Sequence, residues 1–242
     1  MAKIGRPGGE LASRPLHFIW VVDCSGSMHG EKIGTLNHAI QSAIPEMASE
    51  ARDNPNAQLL VRTLKFSSGA SWVTSTPVDV EDFAWEDLTA GGVTDLGKAF
   101  ELLAAQLTIP PMSDRALPPV LVLLSDGQPT DDYKPALEKL LRLPWGKKAV
   151  RIAIAIGQDV DDDLLAEFTG CRELVLKANN PAALVKMIKW ASTAASMVSA
   201  PASRPIENDP LNLLDSNNGG VPLVINMNNI PNPNDINSAD VW

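Results

Sequence analysis

The sequence has few cysteines and aromatic residues, and it has no long apolar run. Two cysteines, Cys24 and Cys171, occur in 242 residues, and aromatic residues make up 5% of the chain. Two distant cysteines form neither a disulfide framework nor a zinc-ligand pattern. No apolar run approaches the roughly 20 residues of a membrane span, and residues 1–14 lack the apolar stretch of a secretory signal. We therefore expect a cytoplasmic protein with no membrane contact.

Positive charge is also scarce. The chain has 20 Lys and Arg residues against 29 Asp and Glu residues, so its formal net charge is −9. An acidic chain without a basic patch is not expected to bind nucleic acid. Hydrophobic residues make up 45% of the sequence, which is enough for a sizeable core. We expect a flexible N-terminus at 1–13, one domain at 14–200 and a separate tail at 201–242.

Short apolar runs alternate with amphipathic segments along the predicted domain. A doubly wound, mostly parallel sheet with helices on both faces, an α/β fold of Rossmann-like type, is the architecture that this alternation indicates. Pro45 lies within the first helix and is expected to kink it, because proline removes an internal hydrogen bond. The predicted strands are 16–23, 58–66, 70–76, 119–125, 149–156 and 173–176, and the helices are one from Ile33 to Met47, one after Thr94, and 133–143, 162–169 and 180–197.

The most informative segment is Asp23-Cys24-Ser25-Gly26-Ser27, which directly follows the apolar run 18–22. It places one carboxylate and two hydroxyls where a buried strand ends. Hard oxygen donors on one tight turn suit a small divalent cation such as Mg2+. Side chains alternate along a strand, so Cys24 is expected to point away from this group and to be buried as a small apolar residue.

Two later segments supply another hydroxyl and another carboxylate. Thr94 stands where an amphipathic helix begins, and Asp126 follows the apolar run 120–124. Ligands of open parallel sheets collect outside the carboxyl ends of the strands, so these groups are expected to converge on the first motif. The alternative, in which they only cap the helices that follow, remains open. The candidate metal ligands are Asp23, Ser25, Ser27, Thr94 and Asp126.

Two further acidic clusters are interpreted as helix caps. Asp131 and Asp132 directly precede the predicted helix 133–143, and the acids between Asp159 and Asp163 precede the helix 162–169. Carboxylates favour the positive end of a helix dipole, so the second cluster is not expected to hold Ca2+. Asp131 and Asp132 also lie beside the expected crevice, where an influence on partner choice remains open.

The five candidate ligands resemble the metal-ion-dependent adhesion site, or MIDAS, of the von Willebrand factor A (VWA) family. That motif reads Asp-x-Ser-x-Ser, then Thr, then Asp, and this sequence fills every position. Residues 14–204 also resemble the bacterial TerY-type proteins, stand-alone cytoplasmic VWA domains associated with tellurite resistance. The segments that carry this second resemblance are 22–28, 88–97, 124–132 and 189–192.

The resemblance implies how the site works. Ser25, Ser27 and Thr94 would contact Mg2+ directly or through water, while Asp23 and Asp126 would act chiefly through hydrogen-bonded waters. Mn2+ or Ca2+ are alternative ions. The remaining ligand would be an Asp or Glu of another protein. The TerY-type resemblance further implies a PP2C-type, metal-dependent Ser/Thr phosphatase and a Ser/Thr kinase as partners.

Three classes of function follow from these observations. The favoured one is a non-enzymatic, metal-dependent protein-binding module of a bacterial stress-response or phospho-signalling system. The alternative is an accessory subunit of an AAA+ ATPase of the chelatase type, a role that other VWA domains have. A metal-dependent hydrolase is disfavoured, because no general base or nucleophile pair stands out.

The tail has two possible interpretations. It contains no Lys or Arg after Arg204, but it has five acids and ten asparagines. Such a composition is typical of a disordered terminus. The apolar run 221–225 and the terminal Trp242 instead favour a segment that binds a groove of a partner.

Overall fold

Seven strands form one sheet in the part of the chain that the computed structural model describes, residues 13–54, 57–158, 160–199 and 230–231. Their order across the sheet is third, second, first, fifth, sixth and seventh, and the short fourth strand pairs with the second. The strands are β1 (Arg14–Asp23), β2 (Ala57–Ser67), β3 (Gly69–Trp72), β4 (Val78–Asp79), β5 (Val120–Ser125), β6 (Val150–Ile156) and β7 (Val175–Ala178).

The sheet is mostly parallel, as predicted. β1 lies between β2 and β5 and runs parallel to both, and β5, β6 and β7 continue the parallel arrangement. β3 and β4 are antiparallel to β2. In the register of β1 and β5, Val22 is opposite Leu124, so Asp23 comes next to Ser125 and Asp126.

Helices cover both faces of the sheet. The side chains of β1 alternate between two cores. Phe18, Trp20 and Val22 lie in the core beneath the first and last helices. Ile19 and Val21 lie in the core beneath the other four helices. This alternation follows from the pleat of a strand buried on both faces, and it confirms the doubly wound prediction. None of the helices in the described residues is long and apolar enough to cross a membrane. The helices are α1 (Glu31–Arg52), α2 (Leu96–Gln106), α3 (Lys134–Arg142), α4 (Pro144–Lys148), α5 (Asp162–Thr169) and α6 (Pro181–Ser199).

One predicted strand ends earlier than expected, and another begins later. The strand predicted at 70–76 stops at Trp72, because the carbonyls of Thr74 and Ser75 accept hydrogen bonds from the Arg62 guanidinium instead of from a neighbouring strand. The strand predicted at 173–176 begins at Val175, after a 3-10 turn over Arg172–Leu174.

Pro45 lies inside α1 without ending it. The helix is one element of 22 residues. Proline leaves the carbonyl four residues earlier, that of Gln41, without its helical donor. Gln41 and Pro45 are both exposed, so water can hydrate that carbonyl.

The acidic caps are partly as predicted. Asp161 caps α5 by accepting hydrogen bonds from the amides of Asp163 and Leu164, while Asp159 lies outside the described residues. The prediction for α3 was wrong, because that helix has no side-chain cap. Asp131 caps α2 instead: its Oδ1 is 3.0 Å from the amide nitrogen of Gly97. The chain passes close to the start of α2 here, and this proximity could not be read from local sequence.

Asn37 holds the irregular segment 80–95 against α1. Its Nδ2 donates to the Leu88 carbonyl at 2.9 Å, and its Oδ1 accepts from the Leu88 amide at 2.9 Å and from Trp85 Nε1 at 3.1 Å. Asn37 is buried, so no water replaces these bonds. The segment includes the candidate ligand Thr94.

The predicted termini lie almost entirely outside the described residues. Within the predicted tail, Ile230 and Pro231 are described. Ile230 is partly buried and packs against the core beneath α1 and α6. Both interpretations of the tail therefore stay predictions.

We expect Asn37→Leu to lower the free energy of unfolding by about 2–4 kcal/mol, because it leaves the buried amide and carbonyl of Leu88 unpaired. Urea denaturation measures this difference. Ser42→Ala is the matched control on the same helix, since it removes an exposed hydroxyl that donates to the His38 carbonyl, and we expect it to change stability by no more than about 0.5 kcal/mol. Equal losses for the two variants would contradict the role of Asn37.

Candidate metal centre

The candidate centre lies where the strand order reverses. Asp23 ends β1, and Asp126 follows directly after β5. β1 is flanked by β2 on one side and by β5 on the other. A crevice at such a reversal point is the usual ligand site of an open α/β sheet.

Four of the five predicted ligands form one chain of hydrogen bonds. Asp23 Oδ1 accepts from the Ser25 amide at 2.8 Å, and Ser25 Oγ lies 3.0 Å from Ser27 Oγ. Ser27 Oγ in turn donates to Asp126 Oδ1 at 2.7 Å. Residues 99 positions apart in sequence are therefore joined within one cluster.

Backbone hydrogen bonds bring the Thr94 loop to this cluster. The Gly91 amide donates to the Cys24 carbonyl at 2.8 Å, and the Gly26 amide donates to the Gly92 carbonyl at 3.0 Å. The loop thus lies along the Asp23–Ser27 turn, directly before Thr94.

The Thr94 hydroxyl lies on the same side as that of Ser27. A Cβ atom added to Gly127 would be 3.5 Å from Ser27 Oγ and 3.9 Å from Thr94 Oγ1. Both hydroxyls therefore border the glycine that follows Asp126. The structure brings all five predicted residues to one crevice.

Glycine is required at position 92 of the loop. Gly92 has a φ of +85°, and a Cβ there would lie 2.5 Å from Ser68 Oγ. Only glycine adopts this backbone region at no steric cost. The same Ser68 hydroxyl accepts a hydrogen bond from the Val93 amide at 3.3 Å, so the close approach also holds the loop.

Thr130 positions Thr94 and was not identified from the sequence. Its Oγ1 accepts from the Thr94 amide at 3.1 Å, and its own amide donates to the Thr94 carbonyl at 2.9 Å. The Thr130 hydroxyl also lies 3.3 Å from Asp95 Oδ1, to which it donates. A threonine four residues after Asp126 gives no local signal of this contact.

Ser125 is a second residue that the sequence analysis missed. Its Oγ donates to Asp23 Oδ2 at 2.6 Å, and both residues are buried. The register of β1 against β5 creates this contact. Without that register, Ser125 is simply the last residue of an apolar strand.

Lys32 is the third residue of the site that the sequence analysis did not identify, and it brings a positive charge next to Asp126. Its Nζ is 2.6 Å from Asp126 Oδ2. With Ser27 on the other oxygen, both oxygens of Asp126 are engaged. Both oxygens of Asp23 are engaged as well, by Ser25 and Ser125.

Burial raises the pKa of Asp23 above its ordinary value of 3.8. Hydrogen bonds from Ser125 and Ser25 act in the opposite direction, and the nearby charge of Asp126 raises the pKa further. The side chain is 0% exposed. A cation is therefore the natural complement of this pair of carboxylates.

Cys24 is buried beside the site and faces the core, as predicted. It belongs to the core beneath α1 and α6. Burial raises the pKa of the Cys24 thiol to about 12, and the Asp23 charge adds to the shift. The thiol therefore stays protonated at neutral pH, so it offers neither a thiolate nucleophile nor a soft metal ligand.

The donor set fits a hard divalent cation. It consists of three hydroxyls and two carboxylates, which are oxygen donors of the kind that Mg2+, Mn2+ and Ca2+ prefer. No group of three or more His, Cys, Asp or Glu side chains that could hold a metal occurs in the described residues. Hydroxyls must therefore complete any metal site here.

We expect Asp23→Asn to make the metal-free protein more stable than wild type at pH 8. The raised pKa means that ionising Asp23 disfavours the fold, so wild-type stability falls as pH rises from the unfolded-state pKa through the folded one. The difference should disappear below pH 3.8, where Asp23 is protonated in both the folded and the unfolded protein. Urea denaturation in EDTA across this pH range measures it.

Asp114→Asn is the control for this prediction, because Asp114 is exposed. We expect it to show no such pH-dependent gain. Wild type more stable than Asp23→Asn at pH 8 would contradict the prediction.

Solved structures share this fold at low sequence identity. A von Willebrand factor type A protein from Catenulispora acidiphila is 15% identical with a TM-score of 0.54, covering 76% of this chain and 43% of that one. The ArnB paralog VWA2 from Sulfolobus acidocaldarius is 21% identical with a TM-score of 0.53, covering 73% and 45%. Proximal thread matrix protein 1 from the mussel byssus, with a zinc-occupied MIDAS motif, is 16% identical with a TM-score of 0.56, covering 76% and 48%. The chain thus spans less than half the length of these three proteins.

The family match covers most of the domain. A search of curated protein sequences found no significant match. The von Willebrand factor type A domain matches residues 18–190, which include all five candidate ligands. Domains of this family often hold a divalent metal and often mediate metal-dependent protein interactions. The chain belongs to the von Willebrand factor type A domain family.

Proposed function

We propose that this chain is a Mg2+-dependent protein-binding module and not an enzyme. The observation that carries the proposal is the hydrogen-bonded chain from Asp23 through Ser25 and Ser27 to Asp126, with Thr94 beside it. These are all five positions of the MIDAS motif, collected at the reversal point of the sheet. The remaining ligand of the metal would be a carboxylate of the partner.

The contacts of each residue suggest its part in metal binding. The hydroxyls of Ser25, Ser27 and Thr94 would be the direct protein ligands. Asp23 and Asp126 already accept hydrogen bonds on both oxygens, so they would orient those ligands and supply negative charge nearby. Held mainly by neutral hydroxyls, the bound cation would supply net positive charge that attracts a carboxylate. The zinc-occupied MIDAS motif of the mussel byssus protein supports a divalent cation in this fold.

The exposed residues lie on one side of the site, so a partner protein would approach it from that side. Asp23 and Ser25 are buried, whereas Gly26 and Ser27 are exposed. Val93, on the adjoining loop, is one of the two exposed large hydrophobic residues among those described. A partner that brings an Asp or Glu to the crevice would find an apolar contact next to it, and that contact would add buried area to the metal bridge.

The same hydrogen bonds argue against catalysis. A general base must come within hydrogen-bond reach of the proton that it removes. Asp23 and Asp126 are both buried, and their four carboxylate oxygens each already accept a bond from the protein, so neither carboxylate is well placed to take a proton from a substrate. Metal-dependent protein binding needs no general base, so this geometry suits an interaction module better than an enzyme.

The proposed cellular role and partners rest on the TerY-type resemblance of segments 88–97 and 124–132. We propose a cytoplasmic role in a bacterial stress response linked to tellurite resistance, together with a PP2C-type phosphatase and a Ser/Thr kinase. The acidic partner surface required by the metal bridge would belong to one of these proteins.

We expect the full chain to bind Mg2+ and Mn2+, and expect Ser27→Ala to weaken binding by about tenfold or more, because it removes a ligand and the hydrogen bond to Asp126. Isothermal titration calorimetry measures the Mg2+ affinity, and electron paramagnetic resonance of Mn2+ gives a second reading. Ser42→Ala is the matched control and should bind as wild type does. Equal affinities in all three proteins, or no binding in wild type, would contradict the metal site.

We expect partner capture to need both Mg2+ and Asp23. Immobilised wild type and Asp23→Ala are incubated with lysate of the source organism, with Mg2+ or with EDTA, and bound proteins are identified by mass spectrometry. The proposal requires a protein recovered by wild type with Mg2+ and lost in the other arms. Circular dichroism checks that Asp23→Ala is folded. An unchanged set of proteins in EDTA would overturn the proposed function.

A further inference from the structure

The position of Lys32 is unfavourable unless its charge is compensated. Lys32 lies in the first turn of α1, which begins at Glu31. The N-terminal end of a helix carries partial positive charge and disfavours cations. The carboxylate of Asp126, with its Oδ2 2.6 Å from Lys32 Nζ, supplies that compensation.

The Lys32–Asp126 pair differs from the other ion pairs among the described residues. The Asp126 side chain is 0% exposed and that of Lys32 is 22% exposed. In each of the other six pairs, both side chains are at least 41% exposed. Solvent screens exposed pairs strongly, so this partly desolvated pair is the least screened of the seven.

The end of β6 leaves room for the extended lysine. A Cβ atom added to Gly157 would lie 3.5 Å from Lys32 Nζ and 3.8 Å from its Cε. Gly157, directly after β6, has a φ of +93°. The ammonium therefore lies between the ends of two strands, β5 and β6. The positions of these strand ends and of α1 determine its contact with Asp126.

A divalent cation and the Lys32 ammonium would both be attracted to the negative charge of Asp126. Asp126 is one of the five MIDAS positions, and Lys32 engages its Oδ2. A metal ion beside Asp126 would also repel a neighbouring ammonium, because like charges a few ångströms apart in a partly dry site are weakly screened.

We propose that Lys32 is the resident counter-ion of the candidate metal centre. It pairs with Asp126, and a divalent cation bound beside Asp126 would weaken this ion pair by repulsion. Lys32 thereby lowers the affinity of the site for divalent cations. This inference rests on the proposed metal-binding function.

Metal titration of Lys32→Met tests the inference. Methionine has a similar length and a high helix propensity but no charge. Calorimetric titration of the full chain with Mg2+ and with Mn2+ compares wild type, Lys32→Met and Lys98→Met. Lys98→Met is the matched control, because it makes the same charge change at an exposed pair with Glu101.

We expect Lys32→Met to bind both ions about tenfold more tightly than wild type. Lys98→Met should stay within about twofold of wild type, because an exposed pair is well screened. Thermal unfolding in EDTA gives an independent reading. Lys32→Met should have a lower melting temperature than wild type, because Asp126 loses its counter-ion, and should gain more from added Mg2+.

The outcomes separate this inference from the proposed function. Equal affinities of wild type and Lys32→Met, or weaker binding by the variant, would overturn the counter-ion role while the metal site stands. Weaker binding would assign Lys32 to positioning Asp126 for the metal. No binding by either protein would overturn the proposed function and this inference together. Lys32→Gln replaces the methionine variant if that one does not fold.

Discussion

The parallel pairing of β1 with β5 is the interaction on which the candidate site depends. The two strands are far apart in sequence, and their hydrogen-bonded register places the end of one beside the end of the other. Asp23 then meets Ser125, and Asp126 comes within reach of Ser27. Because β1 is buried on both faces, its side chains anchor both layers of helices, and a shift in register would exchange the two cores.

Charge balance is the second constraint on the site. Two carboxylates lie near each other, and burial together with their mutual repulsion raises the pKa of Asp23. Hydrogen bonds from Ser25 and Ser125 to Asp23, and the ammonium of Lys32 on Asp126, offset this electrostatic cost. Two buried carboxylates of this kind favour a compensating positive charge nearby, and Lys32 supplies one beside Asp126.

Much of the fold could be predicted because its signals are local. The apolar strands and the heptad-like spacing of Ile33, Leu36 and Ile40 follow from burial in a double-faced sheet. The misplaced features depended on contacts between distant segments. Arg62 takes the carbonyls that would have extended β3, and Asp131 caps α2 and not the helix that follows it. Side chains that choose a distant backbone partner leave no periodic signal in the sequence.

The convergence of the five candidate ligands could be predicted from the sequence, because their segments follow strand ends or begin a helix and supply the oxygen chemistry that a hard cation requires. Their supporting residues could not. Ser125, Thr130 and Lys32 are ordinary in their local context, and their roles arise when packing brings three chain segments to one crevice. The residue types at the strand ends could therefore be recognised from the sequence alone. Their partners and charge balance were set by the register of β1 and β5 and by the reach of α1, since contacts across a fold depend on geometry that no local pattern encodes.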